Sequence, residues 1–206
     1  MMRQSDWSSL MLNLGFSDNE NTFTELKARY EETHRKYHNV DHIESVLFEL
    51  GKARYIAENK DSIELALWFH DAIYNTFSKS NEKDSADLAV SFISENAGCI
   101  ELQKTVHSLI MATEHNFVPQ INDQKLIVDI DLSILGSTES RYAEFELAIR
   151  KEYKYVPWFI FKKKRIELLR YFLNRKSIYS HEHYIDSLEK QARVNITDAI
   201  AKLQSS

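Results

Sequence analysis

Glycine and proline are nearly absent from this chain: four Gly and two Pro in 206 residues. Sheet-rich folds need frequent tight turns. Turns draw on the positive φ open to Gly and the fixed φ of Pro. A chain poor in both is therefore restricted to long helices joined by few turns. Apolar periodicity agrees. Ile43, Val46, Leu47 and Leu50 share one face of a helix expected over Val40 to Glu58, with Asn39 as its N-cap. Asp61 followed by Glu64 matches a capping box opening a second helix, whose apolar set is Leu65, Phe69, Ala72 and Ile73. Ser80 is placed to cap a third, with Leu88, Ala89, Phe92 and Ile93 inward and Gly98 near its end.

Leu102, Val106, Leu109 and Ile110 mark a fourth helix, and the Pro119-containing stretch Thr113 to Asp123 reads as a loop. Lys125 to Leu135 is expected to be a fifth helix, stopped by Gly136. Its run Leu126-Ile127-Val128 taken alone also suits a buried strand. Tyr142, Phe145, Ile149 and Tyr153 stripe a sixth, Pro157 opens a seventh through Phe172, and Tyr184 to Leu203 completes the set. No repeat, low-complexity tract or linker interrupts the pattern. The expectation is an all-α, single-domain helical bundle over residues 1–206.

The net charge of −5 lacks the basic balance of a protein that grips a nucleic-acid polymer. Cys99 is the only cysteine, which rules out an intramolecular disulfide and fits a reducing compartment. The segment Met1 to Asn13 has no apolar run of signal-peptide length, and no stretch reaches the length of a membrane span. A cytoplasmic protein without a membrane partner is expected.

Three short stretches carry the chemistry: His38-Asn39-Val40-Asp41-His42, His70-Asp71, and Asp129-Ile130-Asp131-Leu132-Ser133. They supply imidazoles and carboxylates, the ligands that a divalent or borderline transition metal takes. Trp68 and Phe69 precede His70-Asp71, so Asp71 lies in an apolar segment, where a charge is costly unless paired or bound to metal. A hydrogen-bonded His70–Asp71 pair and a metal site are both compatible with that context. Asp129 and Asp131 stand two apart on a helix and face nearly opposite ways, so only one of them can point at a metal. His38 just outside the cap position is a surface imidazole or a proton donor. Asn81 and Glu82 decorate a helix start or join the site. His115 caps a helix end or lines the site. Arg165, in the basic run Lys162-Lys163-Lys164-Arg165, belongs to a solvated face or reaches a substrate phosphate. His34, His107, His181 and His183 are expected to be structural.

The order His42, His70-Asp71, Asp131 resembles the HD superfamily of metal-dependent phosphohydrolases. Tyr37-His38-Asn39-Val40-Asp41-His42 is similar to the Tyr-His-Asn-x-x-His signature of cyclic nucleotide phosphodiesterases, a branch of that superfamily. The likeness to a bacterial branch of HD phosphohydrolases extends from about Arg29 to Asn195. It includes Trp68-Phe69-His70-Asp71-Ala72-Ile73-Tyr74, Asn81-Glu82 with Ser85-Ala86, and Asp131-Leu132-Ser133-Ile134-Leu135-Gly136.

The resemblance implies an HD-type helical fold and one metal held by His42, His70, Asp71 and Asp131, with Asp131 preferred to Asp129. It implies His38 as proton donor, catalytic roles for Asp71 and Glu82, and substrate contacts from Asn81 and His115. Arg165 is the added candidate for a phosphate. Without thiolate ligands the ion is Mn, Fe, Ni, Co, Zn or Mg, and a second ion is accommodated if Glu82 or His115 joins. The implied reaction is hydrolysis of a phosphomonoester or phosphodiester of a small metabolite, a nucleotide foremost. The alternative is a regulatory protein that binds metal and nucleotide without turnover.

Overall fold

The computed structural model describes residues 2–115 and 119–205. Among these residues the chain is helical with no strand, so the all-α expectation holds and Leu126-Ile127-Val128 is not a strand. It condenses as two compact units, 1–130 and 131–206.

The first unit carries α1 (Gln4–Leu14), α2 (Glu20–Tyr30), α3 (Val40–Ala53), α4 (Lys60–Phe69), α5 (Asn81–Glu95) and α6 (Ile100–Ala112). It ends in α7 (Asn122–Asp131), whose last residue meets the boundary. Helix α4 is the centre, packed against α1, α3, α5 and α6. Every residue from Ile63 to Phe69 is buried, and a helix that is apolar nearly all round must be enclosed by others. Aromatic rings fill the space around it. Trp7 meets Trp68 edge-on at 5.4 Å between centroids, and Phe69 lies 5.4 Å from Phe92.

Helices α1 and α2 precede the segments read from periodicity. Their signal was present in Trp7, Leu10 and Met11, and in Phe23, Leu26 and Tyr30, all buried at helical spacing. Several boundaries differ from expectation. Helix α3 stops at Ala53, five residues before Glu58. Helix α4 starts at Lys60 with Asn59 at the cap position, so Asp61 and Glu64 form no capping box. Glu64 instead turns inward and pairs with Arg54 at 2.5 Å. The backbone N–H groups of Glu58 and Asn59 donate to the buried Asp123 carboxylate, each at 2.8 Å. The expected loop Thr113 to Asp123 ends at Asn122, where α7 begins, and its residues 116–118 lie outside the described residues. The helix expected over Lys125 to Leu135 is α7 followed by a tighter 3₁₀ segment, Leu132–Gly136.

The second unit continues with α8 (Glu139–Glu152), α9 (Trp158–Leu173, with Pro157 at the cap position), the one-turn α10 (Glu182–Tyr184) and α11 (Lys190–Ser205). A π-helical turn, Ile185–Glu189, separates the last two. Helix α11 packs on the 3₁₀ segment, on α8 and on α9. The Asn195 amide locks the end of the 3₁₀ segment by donating to the carbonyls of Leu135 (2.9 Å) and Ser137 (2.8 Å). No helix among the described residues is long and apolar enough to cross a membrane.

Candidate metal centre

The site is built from two helix ends. Asn39 caps α3: its side-chain oxygen accepts from the N–H groups of Asp41 (3.0 Å) and His42 (3.3 Å). This satisfies two of the orphan donors at a helix start and fixes the first turn that carries His42. His38 therefore precedes the helix, as expected, while His42 points into the interior at 4% exposure.

His70 and Asp71 sit where α4 stops, not within its run. His70 is the C-cap residue and Asp71 lies in the following turn. On a continuing helix adjacent side chains diverge by about 100°. Here the chain leaves the helix, and His70 Nε2 comes to 3.1 Å from Asp71 Oδ2. The carbonyls freed at this end are all taken up. Leu67 O faces His70 Nδ1 at 2.9 Å, and Trp68 O accepts from the Tyr30 hydroxyl at 3.0 Å. Phe69 O accepts from Ala72 N–H at 2.9 Å. The Arg35 guanidinium donates to Asp71 O (2.6 Å) and Ala72 O (3.0 Å).

His42 Nε2 lies 3.1 Å from His70 Nε2 and 3.3 Å from Asp71 Oδ2. One ligand atom each from His42, His70 and Asp131 also fall within 4.8 Å of one another. Asp131 is the last residue of α7 and is partly exposed, whereas Asp129 is fully buried. Asp131, the aspartate preferred by the resemblance, is the one grouped with the histidines.

The donor set fits a cation. Two nitrogens bound to one ion at about 2.1 Å stand about 3.0–3.4 Å apart at octahedral or tetrahedral angles, the spacing found here. A carbonyl can only accept, so Leu67 O keeps the proton on His70 Nδ1 and leaves Nε2 to act as a ligand. Burial alone would raise the Asp71 carboxyl. The surrounding histidines, His70 first and then His38 and His42, outweigh it and hold the group well below the usual carboxylate range. The His42–His70–Asp131 group can hold a metal ion.

Around this core, the His38 ring stacks on Tyr74 at 4.2 Å and stands 5.9 Å from the His42 ring. Glu82, in the first turn of α5, feels Asp71, Glu114 and His115. Burial, then the charges of Asp71 and Glu114, raise its carboxyl above 4.5. His115 lies three residues beyond the end of α6 with a left-handed φ of 60°, and Thr113 occupies the C-cap position. Asn81 is occupied elsewhere: its amide both accepts from and donates to the Asn75 backbone, at 3.0 Å each, and so pins the loop after the His-Asp pair. Arg165 is buried in the second unit with two nitrogens on Glu146, at 3.0 and 2.8 Å, and its guanidinium lies over the Phe145 ring. Its expected phosphate contact gives way to an internal ion pair, and the solvated-face alternative also fails. His34, expected to be structural, has Nε2 3.0 Å from Tyr74 O.

Two participants carry no signal in the ligand pattern: Arg35 and Tyr30. They are buried supports of the His-Asp turn, and their partners lie 36 to 38 residues along the chain. Comparison with models of known families, with curated proteins and with solved structures finds no match to this chain.

Proposed function

We propose that this protein is a metal-dependent phosphohydrolase of the HD type. Its ion is held by His42, His70, Asp71 and Asp131, and its substrate is a phosphate ester of a small metabolite, a nucleotide foremost. One observation carries the reading: the convergence of two imidazole Nε2 atoms and an aspartate oxygen at 3.1–3.3 Å, with the His70 tautomer fixed from behind. When bound, a divalent ion supplies positive charge against the phosphoryl oxygens and makes a water acidic enough to react near neutral pH.

The chain's own residues do the rest. Glu82, whose carboxyl is raised by burial and by Asp71, takes a proton from the attacking water. As the new P–O bond forms and the ester P–O bond breaks, His38 gives a proton to the leaving oxygen. Imidazoles exchange protons near neutral pH, and the Tyr74 ring orients this one. Asp71 holds its charge in the cluster and aligns the water. The products are a phosphate, or a phosphomonoester, and an alcohol.

The test is Mn²⁺ binding together with hydrolysis of p-nitrophenyl phosphate, bis(p-nitrophenyl) phosphate and a nucleotide panel, for wild type and Asp71→Ala. The expected result is about one or two equivalents of ion and sustained turnover, both lost in the variant. Binding that is absent, or unchanged by Asp71→Ala, overturns the site. Binding without turnover across Mn, Fe, Ni, Co, Zn and Mg overturns the hydrolase and leaves a binding protein.

A further inference from the structure

We infer that Arg35 is a positioning residue of the metal centre: a single guanidinium that sets the His-Asp turn against the His38–His42 segment. The inference rests on the metal-site reading above. The Arg35 side chain is 1% exposed, and four of its bonds are defined. Nη1 donates to the carbonyls of His38 (3.2 Å) and Asp71 (2.6 Å), Nη2 to Ala72 O (3.0 Å), and Nε to Glu32 (2.9 Å). The rings of Tyr30 and Tyr74 flank it, at 5.3 and 5.5 Å from its central carbon.

Three features separate this arrangement from an ordinary buried arginine. The fork spans the two segments that carry the ligands. His38 precedes the α3 start, and Asp71 and Ala72 follow the α4 end, so one rigid planar group fixes their separation. Its bonds to the chain around the site all go to main-chain carbonyls, so the Asp71 carboxylate stays available to the imidazoles 3.1 and 3.3 Å away. The charge is also balanced: Glu32 pairs with a cation that would otherwise repel a divalent ion at the site. Ring flanking by Tyr74 extends the control, because the same ring stacks on His38.

Lysine cannot replace this group. Its ammonium is one point charge and cannot hold three diverging carbonyls in a plane. Partners that orient metal ligands from behind typically account for 10- to 100-fold in metal affinity. The measurement is Co²⁺ binding by titration calorimetry, with the visible absorption of the bound ion, for wild type, Arg35→Lys and Arg35→Gln. Arg193→Lys is the matched control. Arg193 also pairs with a glutamate, Glu189, and donates to three carbonyls, those of Leu173, Arg175 and Lys176, but it lies in the second unit.

Arg35→Lys and Arg35→Gln are expected to bind Co²⁺ 10- to 100-fold more weakly with an altered absorption band. Arg193→Lys should lose thermal stability but keep wild-type affinity and spectrum. Wild-type affinity and spectrum in Arg35→Lys, or an equal loss in Arg193→Lys, overturns the positioning role while leaving the metal site standing. Absence of Co²⁺ binding in the wild type overturns the metal reading and this inference together.

Discussion

Replacing Asn39 separates two roles that an asparagine between His38 and His42 can take, helix cap or ligand. The side chain accepts from Asp41 N–H at 3.0 Å and His42 N–H at 3.3 Å and donates to Lys36 O at 3.3 Å. Asn39→Ala strands both helix donors, and losing a cap of this kind costs about 1 kcal/mol, within a range of about 0.5–2. Asn39→Gly lets water reach the same N–H groups and costs only a few tenths of a kcal/mol, roughly. Asn39→Asp keeps the acceptor and adds an anion at the helix start, a gain of about 0.3–1 kcal/mol at low salt. The stability order is therefore Asp, Asn, Gly, Ala, spanning about 1–3 kcal/mol end to end. Urea unfolding read by tryptophan fluorescence in a Trp158→Phe background follows the first unit alone, because Trp7 and Trp68 are both fully buried there. With the slope unchanged, the midpoints give the differences directly. Mn²⁺ stoichiometry should be the same in all four. Asn39→Ala as stable as wild type, or Asn39→Gly less stable than Asn39→Ala, refutes the cap. Loss of metal in Asn39→Ala and Asn39→Gly, with retention in Asn39→Asp, shows that the side-chain oxygen is itself a ligand.

Two further outcomes follow from close packing and from burial of charge. A Cβ on Gly136 would lie 2.5 Å from Leu188 Cβ, 2.8 Å from Leu188 O and 3.0 Å from Leu188 Cα, all backbone or rigidly attached. Gly136→Ala should therefore cost about 1–3 kcal/mol in thermal or urea unfolding, and a change below about 0.5 kcal/mol means that the 3₁₀ segment and the π-helical turn part freely. Burial lifts the Glu64 carboxyl above 4.5 against the pull of Arg54, so the folded chain keeps that proton to higher pH than the unfolded chain. This group's effect on stability worsens as pH rises through the window just above 4.5. Melting temperatures from pH 4.5 to 7 should then show Glu64→Gln gaining on wild type as pH rises, and a difference independent of pH sinks the assignment.

Elements whose stability is written in one stretch of chain were legible in the sequence. Helices α3, α5, α6, α8 and α9 were found because a single amphipathic stripe or local cap defines each. The Asn39 cap was found for the same reason. What was missed depends on partners far along the chain. Glu64 looks like half of a capping box until Arg54 is seen beside it. Asp123 looks like a loop residue until it receives the N–H groups of Glu58 and Asn59. The apolar set Leu65, Phe69, Ala72 and Ile73 extended the α4 stripe past its real end, because the Arg35 and Tyr30 donors that hold the turn there lie on other elements. The grouping of His42, His70 and Asp131 was anticipated from the family resemblance, which preferred Asp131 to Asp129. The ligand pattern gave no reason to expect that Arg165 would be spent on Glu146.

Helix α4 is held at both ends by side chains remote in sequence. Asp123 holds its entrance across 64 and 65 residues, and Tyr30 and Arg35 hold its exit across 36 to 38. At ten residues it is too short to persist alone in water. Its exit turn is complete only when chain segments on both sides have closed their loops, and closing those loops costs entropy before any contact repays it. The His-Asp turn thus belongs to the cooperative unfolding of residues 1–130 and not to local fraying. A chain caught part-way through folding would carry the candidate ligands without the geometry that lets them hold an ion.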